Sequence, residues 1–373
     1  MKNWEVKVLD DLDPDLLLLV CDFFNKEFPG VYYPKCTPEI FEWKLSKRNP
    51  AGTGFLTVAI SNGLIVGTAS GTRKIMNEGG KSFEAIEIGD TFTHPDFRKS
   101  GSCITPFGPN ATLDPYFSLS IFGRLVTETI ERAHLSGVRF IYGTPNTNSR
   151  PPYLKRLHFK EVNKGQVSSN LIITPNFYKL RRFPRVAKFL VSIIRLVNYL
   201  LRYLIMGRNS VLEITKEEFI QNLSELNFSA ASEPDKLSLA ISTEILDHRY
   251  LAHPNHNYRF FKVIVKNQNR GVLITTEILR SNGIRSFVVS DWLISDRKVE
   301  KRLPLVLPLL LPYIRDSEII SFWEFEGYGK LTKFVVGTLK YSTVSLISKD
   351  NRLKNSVQIS EFESFRMGWS DNG

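Results

Sequence analysis

The sequence predicts an α/β protein in which one unit, a mixed sheet flanked by helices, is built twice. FEWKLSKRNP (41–50) and LDHRYLAHP (246–254) share an aromatic or imidazole group, then a cation, then a proline. Each precedes two strand-like runs, FLTVAISNGLIVGTAS and FFKVIVKNQNRGVLITTEI. Asp90 after IEIG has a counterpart in Asp291 after FVVS, so the offset holds near ~200 residues along the alignment, as a tandem duplication requires.

Taken in order, Asp13 followed by Pro14 starts a first helix through the apolar run Leu16–Val20, because a short acceptor before a proline is an N-terminal helix signal. The first strand pair turns at Asn62-Gly63, and the second is expected to turn at Gln268-Asn269. Alternation through FEAIEIGD gives a further strand, with Glu87 and Asp90 on opposite faces if the alternation holds. Pro106, Pro109 and Pro115 resist helix interior, so the next helix begins near Ser118 and stops at Gly137. The chain is expected to divide into 1–178, a basic amphipathic helix over 179–210, and 211–373, and 373 residues with 42% apolar content are enough for two cores.

The net charge of +11 is concentrated. Nine Lys and Arg, and no acidic residue, fall between Glu161 and Glu213. Arg185, Lys188, Ser192, Arg195, Tyr199 and Arg202 recur at alternating spacings of three and four, a narrow polar stripe on a helix otherwise rich in Leu, Ile, Val and Phe. Cations inside a bilayer cost about 2.5–3.5 kcal/mol each, which speaks against a span. Two readings stay open, a helix lying on an anionic membrane surface through residues 183–208 or a connector between two domains. Charges gathered on one helix, instead of interleaved with aromatics along strands, speak against nucleic acid.

Cys21, Cys36 and Cys103 form no C-x-x-C and leave an odd count, which reads as free thiols in a cytoplasmic protein. The N-terminus has no basic-then-apolar signal pattern. His248, His253 and His256 lie close together but without a neighbouring Cys or a zinc-site spacing, so no metal is expected. There is no G-x-S-x-G and no P-loop.

The stretch GDTFTHPDFRKSG places Arg98 three residues before Gly101, just after a strand. A tight turn there would aim backbone N–H groups at an anion. Further on, IYGTPNTNSRPPYLKRLHF carries Asn146 and, seven residues later, Tyr153. Strand, R-x-x-G turn, helix, strand, Asn and Tyr in this order resemble the acyl-CoA-binding core of the GNAT acetyltransferase superfamily, over roughly the first half of the chain. FEWKLSKRNPAG, GDTFTHPDFR and GTPNTNS look like a bacterial GNAT subgroup associated with surface-polysaccharide biosynthesis. The chain departs from the family pattern at Cys103, where a Gly or Ala is usual, and in the intervening CITPFGPNATLDPYF. After Asp291 neither R-x-x-G nor an Asn-to-Tyr pair follows, so the second unit would shape the acceptor pocket or support the first.

The resemblance implies tandem GNAT-like folds and transfer of an acetyl group from acetyl-CoA to an amine, here an amino sugar, without a metal. It implies a donor site at Thr91, Phe92, Arg98, Lys99, Ser100, Gly101, Ser102 and Asn146, backbone polarisation of the thioester near Gly89–Thr91, and Tyr153 as proton donor to the leaving sulfur. For the general base Asp90, within the resembling GDT motif, is preferred, with Glu87, His94 and a water relay as the alternatives. Two other functions remain: a non-catalytic tandem scaffold at the membrane, and an aminoacyl-tRNA-dependent transferase of the Fem type.

Overall fold

The computed structural model describes residues 3–32, 34–78, 80–98, 102–103, 120–163, 167–172, 209–225, 237–280, 283–295, 297–300, 306–314, 317–324, 338–343 and 346–350, with scattered positions between 189 and 207. Lys99, Ser100 and Gly101, expected to form a pyrophosphate-binding turn, and most of the insertion that follows lie outside them.

The first half contains β1 (Asn3–Leu9), α1 (Pro14–Glu27), α2 (Pro38–Leu45), β2 (Phe55–Ser61), β3 (Leu64–Glu78), β4 (Lys81–Thr93), β5 (Ser102–Cys103), α3 (Ile121–Leu135), β6 (Phe140–Gly143), α4 (Arg150–Lys155), β7 (Lys160–Asn163) and β8 (Val167–Ile172). The second contains β9 (Ser210–Ile214), α5 (Lys216–Glu225), β10 (Ser238–Leu239), α6 (Thr243–Leu246) running into a π-helical turn Asp247–Leu251, β11 (Tyr258–Val265), β12 (Gln268–Leu279), β13 (Arg285–Ile294), α7 (Arg297–Glu300), a 3₁₀ segment Leu307–Tyr313, β14 (Ile319–Glu324), β15 (Thr338–Thr343) and β16 (Leu346–Asp350).

Local signals set several boundaries where expected. The Asp13 carboxylate accepts from the Asp15 N–H with Pro14 in the first turn of α1. The Ser120 hydroxyl accepts from Gly123 N–H to open α3, and Gly137, at φ 85°, ends it. Asn62 and Gly63, both at positive φ, close the β2–β3 hairpin. The second hairpin turns two residues earlier than expected, at Lys266-Asn267, with Val265 opposite Gln268. Each candidate pair joins a long side chain to an asparagine that tolerates the left-handed conformation, and the register of β11 on β12 selects the earlier pair.

Two sheets result, and they repeat one strand order. The nine-stranded sheet runs β5-β1-β2-β3-β4-β6-β16-β7, with β10 paired to β3; the seven-stranded sheet runs β15-β8-β14-β13-β12-β11-β9. From β1 or β9 inward, both show three antiparallel pairings, one parallel pairing, then two antiparallel ones. The last strand of each half sits in the other sheet: β8 lies between β14 and β15, and β16 between β6 and β7. The sheets therefore do not follow a single cut of the chain near residue 178.

In the first sheet, α1 and α2 pack Leu17, Phe24, Phe41 and Leu45 on Leu56 and Val58. Helix α3 covers the opposite face, with Val126 and Ile130 on Ile86, Ile88 and Ile141. Gly67 permits the closest approach, since a Cβ there would stand 2.5 Å from Ile121 Cγ2. The second sheet is covered by α5 on one face, where Phe219 stacks on Phe260, and by the Leu307–Tyr313 segment on the other.

Candidate functional site

The site forms where β4 outruns its neighbour. Parallel pairing of β4 with β6 goes from Ala85↔Phe140 to Ile88↔Gly143, whereas β4 continues to Thr93. Past Ile88 the two strands part, and on this side Gly89–Thr93 has no strand partner among the described residues. On the other side, β3–β4 pairing passes from Ser70↔Gly89 to Thr68↔Phe92, so Asp90 and Thr91 together face the single residue Ala69. This bulge leaves ladder groups unpaired beside the opening.

The bulge also overturns the expected facing of the two carboxylates. Three residues apart on a regular strand, Glu87 and Asp90 would point to opposite faces. The extra residue restores Asp90 to the face of Glu87: Glu87 lies opposite Thr72 and 3.3 Å from Lys74 Nζ, while Asp90 accepts from Ser70, and Ser70, Thr72 and Lys74 share one face of β3. Thr91 then points to the α3 side.

Asp90 adopts φ 47°, a left-handed conformation that costs a non-glycine residue about 1–3 kcal/mol unless its surroundings hold it. Here they do. Its Oδ1 accepts from the Tyr32 hydroxyl, its Oδ2 from Lys44 Nζ and Ser70 Oγ, and its backbone carbonyl from Thr68 Oγ1 at 2.7 Å. Asp90 and Lys44 are each 2% exposed. Burial, and then the Asp90 charge, push the Tyr32 phenol well above its ordinary pKa, so it stays a donor. Lys44 lies 5.1 Å from the Phe41 ring centroid and 5.4 Å from that of Tyr32.

The second unit repeats this design with different chemistry. The β12–β13 register shifts between Ile274↔Asp291 and Thr275↔Val289, and Asp291 accepts from the Tyr250 hydroxyl at 2.6 Å and from the Trp292 N–H at 2.7 Å. Tyr250 comes from the π-helical turn that aligns with α2. A cavity of about 50 Å³ lies between the units, with Lys44, Thr72 and Lys74 on one side and Arg249, Tyr250 and Asp291 on the other. Trp43 crosses this junction, donating from Nε1 to His248 O at 2.8 Å and stacking on the His248 ring at 5.1 Å.

On the α3 side, Tyr153 is buried among Phe122, Phe159 and the Ile86–Ile88 face of β4, with its hydroxyl 3.5 Å from Thr91 Oγ1. Burial raises its pKa far above neutrality, which keeps the phenol protonated. Thr91, an expected donor-site residue, and Tyr153, the expected proton donor, meet at the opening. Phe92 turns its ring into the α1 core, 4.7 Å from Phe28 and 5.2 Å from Phe24. Arg98 is exposed and donates from Nε to Thr93 O at 3.2 Å. Ser102 pairs with Asn3 at the sheet edge. Asn146 Oδ1 accepts from the N–H groups of Asn148 and Ser149, shaping the turn into α4. His94 stands 3.4 Å from Glu27, away from the bulge network.

Tyr32, Lys44, Ser70 and Tyr250 were not anticipated. One sequence signal pointed at two of them: aligning the shared leucines of FEWKL and DHRYL sets Lys44 against Tyr250, and Lys44 interrupts an otherwise apolar helix face of Ile40, Phe41 and Leu45.

No family model matches the sequence, and no curated protein is similar to it in sequence. Solved structures do match. An Enterococcus faecalis protein described as a probable N-acyltransferase aligns over 94% of this chain and 73% of its own, with TM-score 0.54 and 12% identity. A GCN5-related N-acetyltransferase from Anabaena variabilis aligns over 92% and 72%, with TM-score 0.50 and 10% identity. Saccharomyces cerevisiae N-myristoyltransferase with bound myristoyl-CoA aligns over 93% and 80%, with TM-score 0.60 and 10% identity. The chain has the GNAT acyltransferase fold. At these identities the likeness speaks to the fold, and the chemistry has to be argued from the residues.

Proposed function

We propose that this chain is an acyl-CoA-dependent N-acyltransferase that transfers acetyl from acetyl-CoA to an amine, in the reading favoured by its subgroup motifs an amino sugar of surface-polysaccharide biosynthesis. The observation that carries the activity is the parting of β4 and β6 beside a bulge, with a protonated, buried tyrosine at the opening. A thioester lying between the strands would have its carbonyl polarised by backbone N–H groups near Gly89–Thr91. The substrate amine attacks the carbonyl carbon and gives a proton to the base, the C–S bond breaks, and the departing thiolate takes the Tyr153 proton, which the phenolate regains from solvent. Arg98 and residues 99–102 would hold the pyrophosphate, with Thr91, the Phe92 backbone and Asn146 along the pantetheine arm.

For the base we favour Glu87 over Asp90. Both Asp90 oxygens are engaged by Tyr32, Lys44 and Ser70, and its task is to hold the bulge. Glu87 lies on the same face, next to the Lys74 that lines the cavity between the units. We place the acceptor in that cavity.

Calorimetric titration with acetyl-CoA tests the donor site, with desulfo-CoA reporting on the pyrophosphate arm and myristoyl-CoA on chain length. Micromolar affinity, about −8 kcal/mol, is expected for acetyl-CoA. Tyr153→Phe should keep that affinity while lowering kcat about 100-fold. A folded protein that binds none of the three ligands would overturn the proposal.

A further inference from the structure

Eight positions between Phe189 and Tyr203 are described as helical, and none of their side chains is buried. Six of them, Phe189, Ile193, Leu196, Tyr199, Leu200 and Tyr203, are large apolar or aromatic groups that are 40% to 74% exposed. Phe189, Ile193, Leu196, Leu200 and Tyr203 follow one another at spacings of four, three, four and three, which sets them on one helical stripe about 80° wide. Apolar stripes of this kind are ordinarily covered. Among the described residues nothing covers this one.

Charge identifies what would cover it. The segment between Glu161 and Glu213 carries nine Lys and Arg and no carboxylate, within a chain of net charge +11. By helical period, Lys188, Arg195 and Arg202 fall on the arc next to the apolar stripe, and Arg185 at its edge. A second copy of the chain would bring two such cationic segments together, so self-association through the stripe is opposed by like-charge repulsion. An anionic bilayer surface satisfies both halves, taking Leu, Ile and Phe below the headgroups and pairing the cations with lipid phosphates. Tyr199 and Tyr203 suit that boundary, where an aromatic body is apolar and its hydroxyl is wet. Lys188, Arg195 and Arg202 would each cost about 2.5–3.5 kcal/mol inside a bilayer, so the segment would lie in the interface plane.

We propose that the segment 185–203 is an interfacial anchor that docks the protein on anionic phospholipid.

The test is vesicle co-sedimentation of the full chain. It compares phosphatidylcholine vesicles with and without phosphatidylglycerol, and the parent with two double variants, Leu196→Ser/Leu200→Ser and Leu196→Asp/Leu200→Asp. The parent is expected to sediment with the anionic vesicles only and to be released as salt shortens the Debye length. The serine pair should weaken that binding about tenfold through lost insertion alone, and the aspartate pair further. Thermal midpoints should match the parent, because these side chains touch little of the protein. Four results would overturn the proposal: no binding to anionic vesicles, equal binding to neutral ones, unchanged binding by both variants, or a parent dimer in light scattering that the variants dissociate. A lowered midpoint in the serine pair would do so too, since it would mean the stripe packs against the protein.

Discussion

Replacing Lys44 with Met is the sharpest perturbation of the bulge. It removes the Lys44 charge from beside Asp90 while keeping most of the side-chain volume beside Phe41 and Tyr32. Breaking a buried pair from one side costs about 3–5 kcal/mol, because the other charge stays desolvated. Tyr32 and Ser70 still donate to the carboxylate, so the lower end, about 3 kcal/mol, is expected. Adding Asp90→Gly removes the stranded charge and also suits the φ of 47°. The double variant should therefore be more stable than Lys44→Met alone, by about 1–2 kcal/mol. Urea unfolding with an unchanged slope measures both differences. A loss below about 1 kcal/mol for Lys44→Met, or purely additive effects in the double variant, would refute the view that the ion pair holds the bulge.

Gly67→Val places methyls against Ile121 and Leu125, whose atoms already stand 2.5 and 2.9 Å from where a Cβ would be, and should cost about 1–3 kcal/mol of unfolding free energy as α3 is pushed off the sheet. Burial lowers the pKa of His256 from 6.5, so the unfolded chain takes up its proton at a higher pH than the folded one. Its contribution is level above that value, and stability falls as the pH drops below it toward the folded pKa. Unfolding midpoints at pH 7.5 and 5.5 should show a smaller acid loss in His256→Gln than in the parent, and equal losses would contradict the reading.

Much of the frame was legible because it depends on neighbours in the chain. Asp13-Pro14, Ser120 and Gly137 act within a single turn of backbone, and Asn62-Gly63 carries the twist of its hairpin. The place of Tyr153 beside β4 followed from motif order, since the strand and helix on either side are short and close in sequence. The second hairpin was misplaced because Lys266-Asn267 and Gln268-Asn269 are near-equivalent locally, and the register of β11 on β12 decides between them. Glu87 and Asp90 were separated onto two faces because alternation alone does not reveal an inserted residue.

By itself the sequence determined two α/β units, their capped helices, an acyltransferase-like order of strand, turn and tyrosine, and one strongly cationic amphipathic segment. Each follows from periodicity, caps or charge, which act over a few residues. Only the tertiary structure decided that β8 and β16 exchange sheets, that the bulge turns Asp90 toward Lys44, and that Lys44 and Tyr250 meet at one cavity. The reason is that a strand's pairing groups are the same whatever its partner. Which strands pair, and which face a bulged residue joins, is settled by burial and hydrogen bonding between segments far apart in the chain.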